Sequence, residues 1–403
     1  MPKLHFFNPG HETAILDGSP NYTPTQTVRS MTHELALLPA WYADSEDYIF
    51  MEEKASPLFL SSLTKTWGMT FPKPVYKENL LRGQNPFPTP VQAMPWGISP
   101  QSVSLFERLN HESILPPLWK EEYRTLTGRQ TAADCLDKIK EILPLAQEIS
   151  TPRFSSTEQE VEEYLRLHRP PFLLKTPYSS SGRGLLWIEN QTLNEKERIW
   201  LRGAFRKQGS VSIEPVLKKR NDFAMEFYSD GKGNVSYEGL SLMGNNSKGK
   251  FQNCALGTEA EMESALLFNT AFTPLDLQKT REAVMAVMRS ALASVYEGYF
   301  GVDMLLYVNE DGIMRIHPLV EINLRYTMGL VALQISRKHL KEKRGIGNFS
   351  IEYFSHRGDA LYNHKIRGKA YPLEMEGNRI VSGYLSLCPV RQDTHYLASI
   401  VLM

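Results

Sequence analysis

Apolar positions along this chain repeat with a period of two in short stretches and at helical spacing between them, which predicts a mixed α/β fold. Leu4-His-Phe-Phe7 reads as a buried first strand, closed by the turn Asn8-Pro-Gly-His11-Glu12. Helical spacing covers residues 27–41, and Tyr48-Ile-Phe-Met51 is the next strand. Residues 71–100 carry many prolines and few clear periods, ending at Ser99, which suits the N-cap of a helix reaching Leu109. The loop 126–133 feeds a helix to Ile142, and Ser155-Ser-Thr157 starts another that runs to His168. Two apolar runs, 172–175 and 185–188, flank a polar loop. A helix over 193–208 links them to Val211-Ser-Ile-Glu-Pro-Val-Leu217.

Residues 222–228 alternate as a strand, turn at Ser229-Asp-Gly-Lys-Gly233 and pair with 235–243. The longest helical pattern covers 275–297, with Gly298 as its expected C-cap. A second hairpin joins 299–308 to 314–323 through Asn309-Glu-Asp-Gly312. A basic helix near 333–344 and an antiparallel pair, 379–387 with 394–403, complete the pattern without assignable chemistry.

Composition narrows the class. A chain of 403 residues exceeds one simple core and points to two or three domains. Apolar content of 42% is that of a globular protein, and 45 Lys+Arg balance 45 Asp+Glu, so no net field favours nucleic acid or an anionic membrane. The cysteines Cys135, Cys254 and Cys388 fit neither a metal spacing nor a disulfide framework. No apolar run reaches membrane-spanning length and the N-terminus lacks a signal-like core, so the expected location is cytoplasmic.

Two hairpins carry candidate chemistry. The loop of the first reads Lys175-Thr-Pro-Tyr-Ser179-Ser180-Ser181-Gly182-Arg183-Gly184. Amides of such a loop can point inward at phosphate, glycine permits close approach, and Lys175 and Arg183 add positive charge. Taken alone it is equally an ordinary hairpin with a long polar loop. The second hairpin is more specific. Residues two apart on a strand share a face, so Glu321, Asn323 and Arg325 align, with Asp303 on the facing strand. Two carboxylates and an amide oxygen are hard ligands that suit Mg²⁺ or Mn²⁺ shared with substrate phosphates. Arg325 could hold an anionic substrate there. Arg129 stands at a helix start, where a cation is unfavourable, so either an anion lies nearby or the side chain is exposed. His11 and Glu12 follow the first strand, the end of an α/β sheet at which ligands gather, or else simply begin a helix.

The order of these elements resembles the ATP-grasp superfamily over roughly residues 126–330. The motifs are a strand ending in Lys175, a flexible Ser/Gly loop, Glu214-Pro-Val-Leu217, a long helix and Val-Asp303 with Glu321-Ile-Asn-Leu-Arg325. The opening Phe-Asn-Pro-Gly-His-Glu, with Asn21-Tyr and Leu-Ala-Leu-Leu-Pro-Ala-Trp-Tyr, also resembles a bacterial branch of that superfamily, a match that supplies no substrate. The resemblance implies an α/β (α+β) ATP-grasp fold: an N-terminal α/β domain over 1–125, a first lid over 126–210, and a second over 211–403 with a C-terminal extension.

Residue roles follow from the resemblance. Lys175 would reach the α- and β-phosphates, and Ser179, Ser180, Ser181, Gly182, Arg183 and Gly184 would cover them. Glu214, Val216 and Leu217 would form the hinge that reads adenine, although Pro215 removes one N–H from it. Asp222 would hold the ribose, and Asp303, Glu321 and Asn323 would bind magnesium. Arg325 would face the acyl phosphate or its acceptor. Arg129 stands in for a nucleotide-binding lysine that is not evident, and Lys248 and Lys250 are equal candidates for a further phosphate cation. Asp303 and Glu321 are joined by a longer hairpin than the family leads one to expect.

The implied activity is an ATP- and Mg²⁺-dependent ligase that joins a small-molecule carboxylate to an amine or thiol through an acyl phosphate. The alternatives are a small-molecule kinase on the same fold and a non-catalytic nucleotide-binding protein. The acceptor pocket is expected around Asn8, His11, Glu12, Asn21-Tyr22 and Asn253.

Overall fold

The computed structural model describes residues 1–53, 58–179, 182, 184–245, 251–342 and 345–403. Three sheets carry the architecture. The first is parallel, with strands β1 (Lys3–Phe6), β2 (Tyr48–Met51), β3 (Lys73–Tyr76), β4 (Val91–Pro95) and β5 (Ile114–Leu115) in the order β3-β2-β1-β4-β5. Leu4 and Phe6 face a core with Phe50 and Phe106, while His5 and Phe7 point to the opposite side. The prolines of 71–100 hid β3 and β4, whose few residues are too short to show a period. Ser99 does cap the helix Pro100–Leu109, accepting from Ser102 N at 3.2 Å.

The second sheet contains β6 (Arg153–Ser155), β7 (Phe172–Lys175), β8 (Leu185–Ile188) and β9 (Val211–Pro215), ordered β6-β9-β7-β8. Phe172, Leu174, Val211 and Ile213 pack on the helices Glu158–Leu167 and Glu195–Gln208. Strand alternation therefore leaves Lys175 and Glu214 on the other, open face. The packing departs from the division read in the sequence. Val211–Pro215 pairs with β7 and β6, so the first lid continues past residue 210. Helix Arg129–Ile142 packs with the core of the third sheet rather than with this one.

That third sheet has nine strands: β10 (Lys218–Asp230), β11 (Val235–Asn245), β12 (Phe251–Leu256), β13 (Glu297–Val308), β14 (Met314–Asn323), β15 (Gly347–Tyr353), β16 (Glu374–Glu376), β17 (Arg379–Ser386) and β18 (Tyr396–Leu402). Their order is β14-β13-β10-β11-β12-β15-β18-β17-β16. Helices Arg129–Ile142 and Pro274–Leu292 cover one face, and helix Met328–His339 covers part of the other. Two expectations are corrected here. The long helix ends at Leu292, and Gly298 lies inside β13 opposite Ser229, so it is not a C-cap. Residues 27–41 form the helix Gln26–Glu34 and a separate 3₁₀ turn, Leu38–Trp41, begun by Pro39 near its start.

Residues 331–403, silent in the sequence, complete the large sheet and hold the N-terminal unit against it. Trp41 is fully buried among Phe71, His339 and Leu387, and its Nε1 donates to the Leu387 carbonyl at 2.6 Å. Glu34 Oε2 accepts from the backbone N–H of both His395 and Tyr396, each at 2.7 Å. Among the described residues no helix is long and apolar enough to cross a membrane. Replacing Trp41 with Ala is expected to cost about 3–5 kcal/mol, the range for an emptied aromatic core site. Urea unfolding checks this, and a loss below about 1 kcal/mol would mean the two chain ends do not share a core.

Candidate active site

The floor of the site is the open face of β10, β13 and β14. Asp303 stands directly opposite Glu321, and Gly301 opposite Asn323. On the other side of β13, Ala224 faces Asp303 and Glu226 faces Gly301. Directly paired residues share a face, so Asp303, Glu321, Asn323 and Glu226 form one patch of oxygen-bearing side chains. Asn323 hydrogen-bonds Asp303 and accepts from Arg325 Nη2 at 2.9 Å. Burial first, and the Glu321 charge second, push the Asp303 carboxyl up to about 7.

Glu226 lies deeper, 1% exposed. Its oxygens accept from Thr327 Oγ1 at 2.8 Å and Ser241 Oγ at 3.1 Å. A Cβ on Gly329 would stand 2.2 Å from Glu226 Oε1, so glycine is what leaves room for this carboxyl. Burial, aided by the Asp303 charge, pushes Glu226 up to about 7, with the Thr327 and Ser241 hydrogen bonds opposing.

The opposing jaw is cationic. Lys175 ends β7 and forms an ion pair with Glu214 of β9. Arg129, the first residue of its helix, donates from Nε to the Thr176 carbonyl at 3.1 Å and from Nη2 to Ser179 Oγ at 3.3 Å. The same Nη2 lies 3.1 Å from Glu321 Oε1. An anion nearby, not exposure, thus accounts for an arginine at a helix start. Thr176 N donates to the Gly184 carbonyl at 2.9 Å, which draws the neck of the loop together. Gly184 has φ +71°, and a Cβ there would meet Thr176 Oγ1 at 2.2 Å.

The third wall comes from the loop after β1. Arg325 Nε donates to Glu12 Oε1 at 2.6 Å, joining residues 313 apart. His11 Nδ1 lies 3.1 Å from Glu12 Oε2, without the alignment of a hydrogen bond. Burial would raise Glu12, but the His11 and Arg325 charges hold its carboxyl well below the usual range. His11, Glu12, Tyr178, Ser179, Glu321 and Asn323 line a narrow crevice between this wall and the jaw. Among the described residues, three cations of the site are each answered by a carboxylate: Lys175 by Glu214, Arg129 by Glu321, and Arg325 by Glu12.

Not every residue singled out in the sequence joins this assembly. Asn8 uses its amide on Gly97, donating to the carbonyl at 2.8 Å and accepting from the N–H at 3.2 Å, so it ties β1 to β4. Asn253 pairs with Gly244, whereas its neighbour Cys254 continues the row of Met243 and Asp222. One residue of offset turns Asn253 to the face opposite Asp303. Val216 donates its N–H to the Pro171 carbonyl at 3.0 Å, and Leu217 packs into the main core. Asp222 binds Lys219 Nζ at 2.6 Å and stands opposite Leu305, on the site's face. Ser180, Ser181, Arg183, Lys248 and Lys250 lie outside the described residues.

The sequence reading missed Glu226 and His317. Glu226 sits in Phe-Ala-Met-Glu-Phe, an apolar setting like that of Glu321 in Pro-Leu-Val-Glu-Ile, where a carboxylate is out of place, so its signal was present. His317 precedes Glu321 on β14 and is 6% exposed. Burial lowers its ring to about 4, with Glu214 opposing and Lys175 adding to that shift. Among the described residues no three His, Cys, Asp or Glu side chains are grouped as a metal site. The candidate set is two acids and an amide.

Glu226 gives the site a pH signature. Its folded-state value of about 7 exceeds the ordinary 4.5, so the folded chain binds this proton more tightly than the unfolded one. Stability must then fall as pH rises from about 4.5 through 7, by an amount on the order of 3 kcal/mol. Asp303 acts in the same direction, so the test is a difference. The stability of Glu226→Gln relative to wild type should rise between pH 5 and 8 in denaturant titrations, and a constant difference would refute the assignment.

No protein-family model matches the sequence, and no curated protein is similar to it. Solved structures are. A biotin carboxylase from Campylobacter jejuni in complex with β,γ-ATP is 12% identical, with 100% of this chain and 88% of that chain covered and a TM-score of 0.53. The N5-carboxyaminoimidazole synthetase of Staphylococcus aureus, complexed with ADP, is 11% identical over 100% of this chain and 93% of that one, at a TM-score of 0.48. At such identity the first likeness speaks for the fold alone. A parallel N-terminal sheet, a small four-stranded sheet and a large antiparallel sheet follow one another along the chain, and this is the fold that it shares with that biotin carboxylase.

Proposed function

We propose that this protein is an ATP- and Mg²⁺-dependent ligase that joins a carboxylate to an amine or thiol through an acyl phosphate. The observation that carries the reading is the opposition of two unlike surfaces. A patch of two carboxylates and an amide, Asp303, Glu321 and Asn323, faces a jaw bearing Lys175 and Arg129. The donor set fits a hard divalent cation, since two carboxylates confront each other and burial, with the Glu321 charge, pushes Asp303 up to about 7. A magnesium ion held by these three side chains would neutralise phosphate charge during transfer.

The chain's own residues do the rest. Lys175 and Arg129 would exchange Glu214 and Glu321 for the oxygens of the triphosphate, stabilising charge that grows at the β–γ bridge. A carboxylate oxygen of the substrate attacks the γ-phosphorus, the bond to the bridging oxygen breaks, and ADP leaves with that electron pair. The nucleophile then attacks the acyl carbon, and phosphate departs as its proton is lost. No nucleophilic side chain is needed. Arg325 orients Asn323 on one side and Glu12 on the other, so the crevice beside His11 and Glu12 is where the carboxylate would meet the phosphate.

Wild-type protein incubated with Mg-ATP and pooled carboxylates and amines should release ADP together with free phosphate. Glu321→Ala should reduce that release by about a hundredfold or more, as for loss of a group that stabilises the transferring charge. Turnover that survives this substitution would refute the reading. ADP without free phosphate, accompanied by a stable phosphorylated product, would instead identify a kinase.

A further inference from the structure

The floor of the clamp carries a buried imidazole to which the proposed reaction gives no role. His317 is 6% exposed, and its Nδ1 has no hydrogen-bond partner. Buried polar atoms are almost always paired, so an orphan here asks for a ligand.

Its orientation follows from an irregularity in the hairpin. Asp303 pairs with Glu321, yet Leu305, two residues on, pairs with His317, four residues back. The two extra residues in β14 keep His317 on the same face as Glu321 rather than turning it into the core. Ile316, next to it, points into that core. Leu305 stands in turn opposite Asp222, so His317, Leu305 and Asp222 form one row across the floor. The charges of Glu214 and Lys175 both reach the ring from the facing sheet.

We propose that His317 recognises the nucleoside end of the ATP bound in the clamp, its Nδ1 hydrogen-bonding the base or ribose. The inference rests on the ATP-dependent reading above. Burial keeps the imidazole uncharged at neutral pH, which suits a neutral partner and gives it no Coulomb attraction for phosphate. Lys175 and Arg129 already supply charge to the phosphate end. The row it belongs to ends at Asp222, whose carboxylate on the same face is suited to sugar hydroxyls.

The experiment compares two ligands on the full chain. Mg-ATP and Mg-tripolyphosphate are titrated calorimetrically into wild type, His317→Leu and His317→Asn. His317→Leu should weaken ATP about tenfold, the scale of one lost buried hydrogen bond, and leave tripolyphosphate unchanged. His317→Asn retains a hydrogen-bonding group near the Nδ1 position and should recover most of the loss. Equal weakening of both ligands, or none, would overturn the inference while leaving ATP binding itself intact. If wild type binds no ATP, the function reading fails and this one with it. Should His317→Leu not fold, ¹⁵N spectra of wild-type histidines test the same contact. Nδ1 of His317 should shift on adding Mg-ATP and not on adding Mg-tripolyphosphate, and an unmoved resonance refutes the contact.

Discussion

Asp303 and Glu321 face each other across hydrogen-bonded strands, and like charges so placed must be answered from outside the sheet. The answer shapes the surroundings. Arg129 reaches Glu321 from the start of a helix, where its own dipole disfavours it, and the same guanidinium holds the Thr176 carbonyl and Ser179. The phosphate-type loop is thus tethered to the floor through the floor's own repulsion. Asn323 bonds Asp303 from the other side and is oriented by Arg325. A carboxyl such as Asp303, pushed up by burial and by a facing carboxylate, is poor for stability. Its place beside Glu321 and Asn323 agrees with the cation site proposed above.

The same logic explains the three ion pairs of the site. Lys175, Arg129 and Arg325 are 6% exposed, nearly buried or partly buried, and none could sit there uncompensated. Glu214, Glu321 and Glu12 compensate them in the ligand-free chain. In the proposed reaction an anionic ligand with its cation would replace like with like: phosphate would take the place of carboxylate beside Lys175 and Arg129, and metal the place of arginine beside Glu321.

How much of this was legible depended on range. Period-two alternation marked β10, β11, β13 and β14, and with them the shared face of Glu321 and Asn323, because strand geometry is local. Lys175 and its glycine-bearing loop were equally plain. What escaped depends on partners far away in sequence. Asn8 looked like a substrate residue until Gly97, 89 positions on, took both ends of its amide. Asn253 looked like a lining residue, but a pairing register with Gly244 turns it away. His317 was hidden by a two-residue irregularity that no hydrophobic pattern announces. Gly298 had the right identity for a helix cap and the wrong neighbours, since pairing with Ser229 claimed it for β13.

The silent C-terminal stretch carries the last part of the argument. Glu12 can meet Arg325 at 2.6 Å only if the parallel sheet is fixed against the large one. That fixing is done by Trp41 seated on Leu387, by Glu34 bonded to the backbone of β18 and its approach, and by Lys338 bonded to the Tyr42 carbonyl at 2.7 Å. Each of these contacts joins the first fifty residues to the last seventy. The phosphoryl transfer proposed above, from a nucleotide on one unit to a carboxylate on another, would tolerate little slack, since small misplacements cost large factors in rate. The final strands contribute none of the side chains described at the site, yet they help to set the distance between its two halves.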